Sequence, residues 1–221
     1  TCLAFATRCS EARSPAAALE LLRRCEELLG RGVLSARGQR EVRGFVHDGY
    51  AFYYLRRSRY SAALECVNKA LDIHARDATA RSLVGGLGAA QAAAGASTTA
   101  GACATVGWGH YAKCLVHRAA IVARQVRQDE ALASLEEVLA LVSDGRLDAG
   151  GSSNPQKLCL VAVTYHNAAA AQLSVGRAAA AATASHSARR LARLCLSYSS
   201  RWLPQFESTH KLALAAATAS A

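Results

Sequence analysis

The chain has 221 residues and a formal net charge of +10, with 26 Lys and Arg against 16 Asp and Glu, no methionine and 8 cysteines. Such a length suits one domain, two, or a repeat array that needs no single central core. The basic excess favours acidic partners, whether nucleic acid, anionic lipid or acidic protein tails, or reflects a GC-rich coding genome rich in Ala and Arg codons. The cysteines form no close metal-type pairs, which argues against a zinc site or a disulfide framework and for reduced thiols packed as small hydrophobes.

In chain order, a short apolar segment from Thr1 to Cys9 precedes Ser14-Pro15, a cap followed by a first-turn proline. The helix that follows places Ala18, Leu22 and Cys25 on one face and is closed by Gly30 and Gly32. Residues 43–75 read as two amphipathic helices broken at Arg57-Ser58-Arg59, the first aromatic-rich and the second carrying Ala63, Val67, Ala70 and Leu71. No charged residue lies between Ser82 and Ala112, but Gly, Ser, Thr and Gln interrupt this alanine-rich run, so a membrane span is not expected. Leu83 to Ala94 reads as a weak helix, and residues 84–107 as a low-complexity insertion that is flexible from Gly95 to Gly107.

A third pair of helices is expected over residues 108–143, with Ala119, Ala131, Leu135 and Val138 at its contact. Asp148 to Ser153 is a Gly/Ser linker, and Asn154-Pro155 opens a fourth pair that carries Ala169, Gly176, Ala181 and Ala188 and ends near 198. Pro204 introduces a terminal helix over about 205–220. The missing methionine, and an end inside an alanine-rich run, suggest the ordered part of a longer protein.

Ala51, Tyr54, Ala63 and Ala70 stand in the order kept by the tetratricopeptide repeat, and residues 43–75 resemble one such hairpin. Ser58 stands where that family keeps a turn glycine and Ala75 where it keeps a closing proline. The spacing from Ala18 to Ala63, Ala131 and Ala181 exceeds the ~34 residues usual for the family. His166-Asn167 before a run of alanines, with a long second helix, is similar to the extended repeats of kinesin light chains. The resemblance implies an all-α solenoid of antiparallel hairpins at about 1–30, 43–75, 108–143 and 154–198. By the same resemblance a partner groove would lie along the first helices of successive hairpins, at Asp48, Phe52, Arg56, Lys113, His117, Arg124, His166 and Asn167.

Other chemistry is sparse. Cys114 and His117 share a helix face at i, i+3, but no carboxylate in the sequence is placed to orient them, so a packed thiol beside a groove histidine is expected. His110 and His186 read as capping or surface residues. Gly85-Gly86-Leu87-Gly88 lacks the Lys-Ser/Thr of a phosphate-cradling loop. Arg177, Arg189, Arg190, Arg193 and Arg201 form a basic patch without base-stacking aromatics. The expectation is a non-catalytic scaffold that uses no metal or cofactor and docks other proteins of a multi-subunit complex. Those partners would be acidic or microtubule-associated, and the chain would be cytoplasmic with no membrane span. Ala/Arg-rich, methionine-poor chains of this kind are similar to axonemal tetratricopeptide proteins of flagellated protists and green algae, which points to a cilium or flagellum. The alternatives are a soluble adaptor for peptide motifs of cargo or chaperone partners, and an organellar RNA-binding helical-repeat protein.

Overall fold

In the computed structural model, which describes residues 14–32, 34–92, 99–147 and 155–220, the segments with a helical hydrophobic period are helices and no described residue lies in a strand. In order they are α1 (Pro15–Gly30), α2 (Ala36–Arg56), α3 (Tyr60–Ala92), α4 (Thr99–Arg124), α5 (Gln128–Ser143), α6 (Pro155–Ser174), α7 (Ala178–Cys195) and α8 (Leu203–Ala219). Among the described residues no helix is long and apolar enough to cross a membrane. The segment Thr1 to Cys9 and the Gly/Ser linker lie outside the described residues.

The chain divides into two compact units, Thr1–Ile121 and Val122–Ala221. In the first, α1 packs on α2 and α2 on α3. Leu22 and Cys25 of α1 are buried, and the second of these clusters with Leu29 and Val46. Two glycines let α2 approach both neighbours. A Cβ on Gly49 would stand 2.7 Å from Leu22, and one on Gly44 would stand 2.7 Å from the ring of His74 in α3. The α2–α3 contact is lined by Ala51, Ala63, Val67 and Ala70, all fully buried. Ser35 starts α2 by accepting the Gly38 N–H at 3.2 Å.

In the second unit α5 packs on α6, α6 on α7, and α8 on both α6 and α7. Here Leu135 and Val138 of α5 are buried, and α6 and α7 contribute mainly alanines. Ala162, Ala188 and Ala192 close around Phe206, the one large ring of this cluster, with Leu191, Leu196 and Leu203 at its edge. Ser134, Thr164 and Ser185 are buried but satisfied, each hydroxyl donating to a carbonyl in the preceding turn of its own helix.

The low-complexity insertion expected over residues 84–107 is helical in its described part. Helix α3 continues to Ala92 and α4 starts at Thr99, ahead of the expected start near Trp108. Alanine has the highest helix propensity and tolerates this run despite its glycines, so low complexity did not mean loop. Residues 93–98 lie outside the described set. Ser14, read as a cap, makes no side-chain capping bond, although Pro15 does occupy the first turn.

Four turns share one closure, of which the one after α5, Gly145 (69°) with Arg146 N–H to Leu141 O at 3.0 Å, leads into no described helix, and the other three return the chain into the next helix. After α2, α4 and α6 a single residue adopts positive φ: Ser58 (57°), Val126 (63°) and Gly176 (75°). Each is followed by an arginine whose N–H closes back on the helix: Arg59 to Tyr54 O at 2.9 Å, Arg127 to Val122 O at 3.1 Å and Arg177 to Gln172 O at 2.9 Å. These are Schellman closures. The carbonyl of each arginine then accepts the N–H of a buried alanine, Ala63, Ala131 or Ala181, at 3.0 to 3.1 Å. Left-handed geometry costs an L-residue roughly 1–2 kcal/mol, most for a β-branched one. Because Val126 is exposed and contributes little packing, Val126→Gly is expected to stabilise the chain by about 1 kcal/mol in urea melts. A loss of stability would show that this turn is not held at positive φ.

Candidate partner-binding surfaces

Asp48 sits on α2 one turn before Ala51 and Phe52, on the face that meets α4 within the first unit. It is almost fully buried and surrounded by donors. His117 Nδ1 donates to Oδ1 at 2.5 Å, and the Lys113 ammonium lies 3.2 Å from Oδ2. The buried Cys114 thiol lies near enough to feel the carboxylate's charge. Burial alone would raise the Asp48 pKa, yet His117 and Lys113 together outweigh it, and the carboxyl is held well below the usual range. Phe52 lies against the imidazole with ring centroids 6.1 Å apart.

The carboxylate that the sequence did not supply for Cys114 and His117 is therefore Asp48. Its position changes the chemistry. It takes a proton donor from each side, and the buried thiol is pushed far up in pKa by burial first and by the Asp48 charge second. A thiolate here would face a carboxylate, so Cys114 stays a neutral thiol. Among the described residues no group of three or more His, Cys, Asp or Glu is arranged to hold a metal.

Next to this cluster, Phe45, His74 and His110 pack ring against ring, with centroids 4.5 to 5.7 Å apart. His74 is 2 % exposed, and its Nε2 has no hydrogen-bond partner. Burial first, and the neighbouring His110 second, push its pKa down to about 4. His110, read from the sequence as a capping or surface residue, is half-buried in this ring layer, and His74 was not singled out, being one polar residue at the end of an apolar stripe.

Of the eight residues expected to share a groove, Asp48, Phe52, Lys113 and His117 come together. Arg56 is exposed in the last turn of α2, and Arg124, His166 and Asn167 belong to the second unit. His166 and Asn167 line a cavity of about 360 Å³ between α6, the end of α7 and the start of α8, together with Val163, Leu196, Trp202 and Phe206. The His166 ring lies 4.7 Å from Phe206, its Nδ1 is buried without a partner, and burial lowers its pKa. Trp202 and Val163, 48 % and 38 % exposed, form the rim.

The basic patch is only partly open to partners. Arg193 donates to Glu207 of α8 at 2.6 Å and Arg189 stands 3.6 Å from the same carboxylate, so both tie α7 to α8. Arg177 lies 3.5 Å from Asp129, and Arg201 covers the Trp202 ring at 5.2 Å. Arg190 is exposed. His186 is likewise exposed, beside the buried His210 that hydrogen-bonds Ser185 at 3.0 Å. No protein-family model matches the chain, and no curated protein is significantly similar to it.

Asp48→Asn removes the charge that Lys113 and His117 face and leaves a weaker acceptor, which is expected to cost about 1–3 kcal/mol in urea melts. Lys113→Ala, at a half-exposed position, should cost less than about 1 kcal/mol. Equal effects would place the worth of the cluster outside the carboxylate.

His74 sets a pH window. A free imidazole protonates near pH 6.5, so between about 6.5 and 4 the unfolded chain binds a proton that folded His74 does not. Stability is expected to fall as pH falls through that window, by on the order of 2 kcal/mol from this residue. His47, His166 and His210 shift in the same direction, so His74→Leu should reduce the slope of Tm against pH without abolishing it. Asp48, with its depressed pKa, adds its loss only below the ordinary carboxylate range. An unchanged slope in His74→Leu would contradict the buried neutral imidazole.

Proposed function

We propose that the chain is a non-catalytic scaffold, an α-solenoid of degenerate tetratricopeptide-like hairpins that docks other proteins within a larger assembly. The observation that carries the reading is the thrice-repeated register of a left-handed turn residue, an arginine and, four positions on, a fully buried alanine. That register is what a hairpin repeat needs, since a tight turn and a small contact residue fix how each second helix returns onto its first. The absence of catalysis is supported by the chemistry of the two clusters. The Cys114 thiol is buried and neutral, and the Asp48 carboxylate is already committed to internal donors. The proposed setting is a ciliary or flagellar axoneme, on the strength of the Ala/Arg-rich, methionine-free composition.

A second reading, capture of a peptide motif from cargo or chaperone partners, is favoured by the cavity beside His166 and Asn167. Its apolar walls and half-exposed Trp202 would receive one large side chain while Asn167 offers an amide to a peptide backbone. The test common to both is affinity capture on the intact chain from nuclease-treated extract of ciliated cells. A reproducible set of proteins is expected, and if the cavity receives a peptide the double variant Val163→Asp, Trp202→Ala should lower recovery at least several-fold. Recovery of RNA in place of protein from untreated extract would overturn the scaffold reading.

A further inference from the structure

A groove on the first unit, separate from the Asp48 cluster, runs along α1, α2 and α3 with a volume of about 480 Å³. Three cations line it, one from α1, one from the turn before α3 and one from α3: Arg23, Arg59 and Lys69. The guanidinium groups of Arg23 and Arg59 make no hydrogen bond or ion pair among the described residues. Lys69 donates to Glu65 at 2.6 Å, an exposed pair within one helix of the kind that yields readily to a better partner. The floor is tyrosine. Tyr50 and Tyr54 stack at 6.2 Å and Tyr53 meets Tyr54 edge-on at 5.3 Å.

Against the three cations stands one groove carboxylate, Glu26, which accepts the Tyr50 hydroxyl at 2.8 Å. His47, at the groove wall, is kept neutral by burial first and then by the positive charges of Lys69 and Arg43, opposed by Glu26. Its imidazole therefore adds a hydrogen-bonding group without adding charge. The cations are strung out, because the ten residues from Arg59 to Lys69 correspond to about 15 Å of helix rise. That exceeds one phosphate group and equals roughly four to five residues of extended chain. The tyrosine rings contact one another, which fixes their orientation in the floor.

We propose that this groove docks an extended, acidic segment of a partner protein, with Arg23, Arg59 and Lys69 spaced to meet successive carboxylates and the tyrosines providing the floor. The proposal deepens the scaffold reading and rests on it. Both arginines are exposed, so charge reversal there leaves the core intact.

The test uses the intact chain and a fluorescently labelled octaglutamate peptide, followed by anisotropy at two salt concentrations. Binding is expected to weaken with added salt, and to fall at least tenfold in Arg23→Glu and in Arg59→Glu while Arg190→Glu, in the second unit, changes it less than twofold. Circular dichroism checks that each variant is folded. Equal losses in all three variants would reduce the effect to net charge and overturn the site, as would no binding at all. A single-phosphoserine peptide binding tenfold tighter than octaglutamate would overturn the extended acidic segment in favour of a point anion, and oligouridylate displacing the peptide at equal concentration would overturn it in favour of nucleic acid. If the peptide fails while proteins are still captured from extract, undiminished by Arg59→Glu, the groove is wrong and the scaffold reading stands. If both fail, the scaffold reading falls with it.

Discussion

The tightest helix contacts in these two units depend on small residues letting backbones come close. Ala51, Ala63 and Ala70 are fully buried where α2 meets α3, and Ala169, Ala181, Ala188 and Ala192 lie at or near complete burial in the second unit. Alanine removes little apolar area from water, so each contact contributes less than a leucine pair would and stability depends on many close fits. The same closeness explains Gly44 and Gly49, where the side chain that would have stood on α2 is replaced by His74 or Leu22 from its neighbour. It also explains why serine and threonine are admitted to the interior. A hydroxyl that turns back onto its own helix behaves as a small group with its hydrogen bond already made.

Two buried polar groups in the first unit show opposite solutions to desolvation. Asp48 keeps its charge because His117 and Lys113 both donate to it, so its burial is offset by bonds available only in the folded chain. His74 gives up its charge, since His110 and Phe45 around it offer rings and no carboxylate in contact, and a neutral imidazole is less costly to bury than a cation. The two lie close in the same helical stack, and their titrations fall in separate ranges. Fixing one ionised and one neutral group in this way specifies which face of α4 meets α2, because a rotated helix would leave Asp48 unpaired.

The all-helical class was legible because periodicity at 3.6 residues is a local property, and so were breaks such as Arg57-Ser58-Arg59. The turn geometry was only half legible. Gly176 announces a left-handed residue, whereas Ser58 and Val126 do not, and the arginine that follows each of the three is visible as a pattern only once the turns are aligned in space. The helix expected from Leu83 is there as far as Ala92, but residues 99–107, expected to be flexible, belong to α4, because low complexity was weighed above alanine's helix propensity. For the sites, Asp48, Phe52, Lys113 and His117 were named together by analogy, but the reason they belong together, a shared buried carboxylate, depends on two helices far apart in sequence. Glu207 shows the same limit. Nothing in the run of arginines of α7 says that two of them are already satisfied from α8.

That last point governs how the net charge of +10 should be read. Ion pairs such as Arg24 with Glu27, Arg127 with Glu130, Arg177 with Asp129 and the α7 arginines with Glu207 leave the excess unchanged but localise it, so an arginine in such a pair contributes less local field than a count of arginines suggests. A patch counted from sequence therefore overstates the attraction of α7 for an acidic partner. Arg23 and Arg59 were not in any counted patch, one falling in the middle of α1 and the other in a turn. Yet they are brought to one groove with Lys69, and their guanidinium groups are not consumed by the fold. Charge left unpaired beside a shaped surface steers a partner more effectively than a larger number of charges already paired, because only the unpaired ones gain a new neighbour on binding.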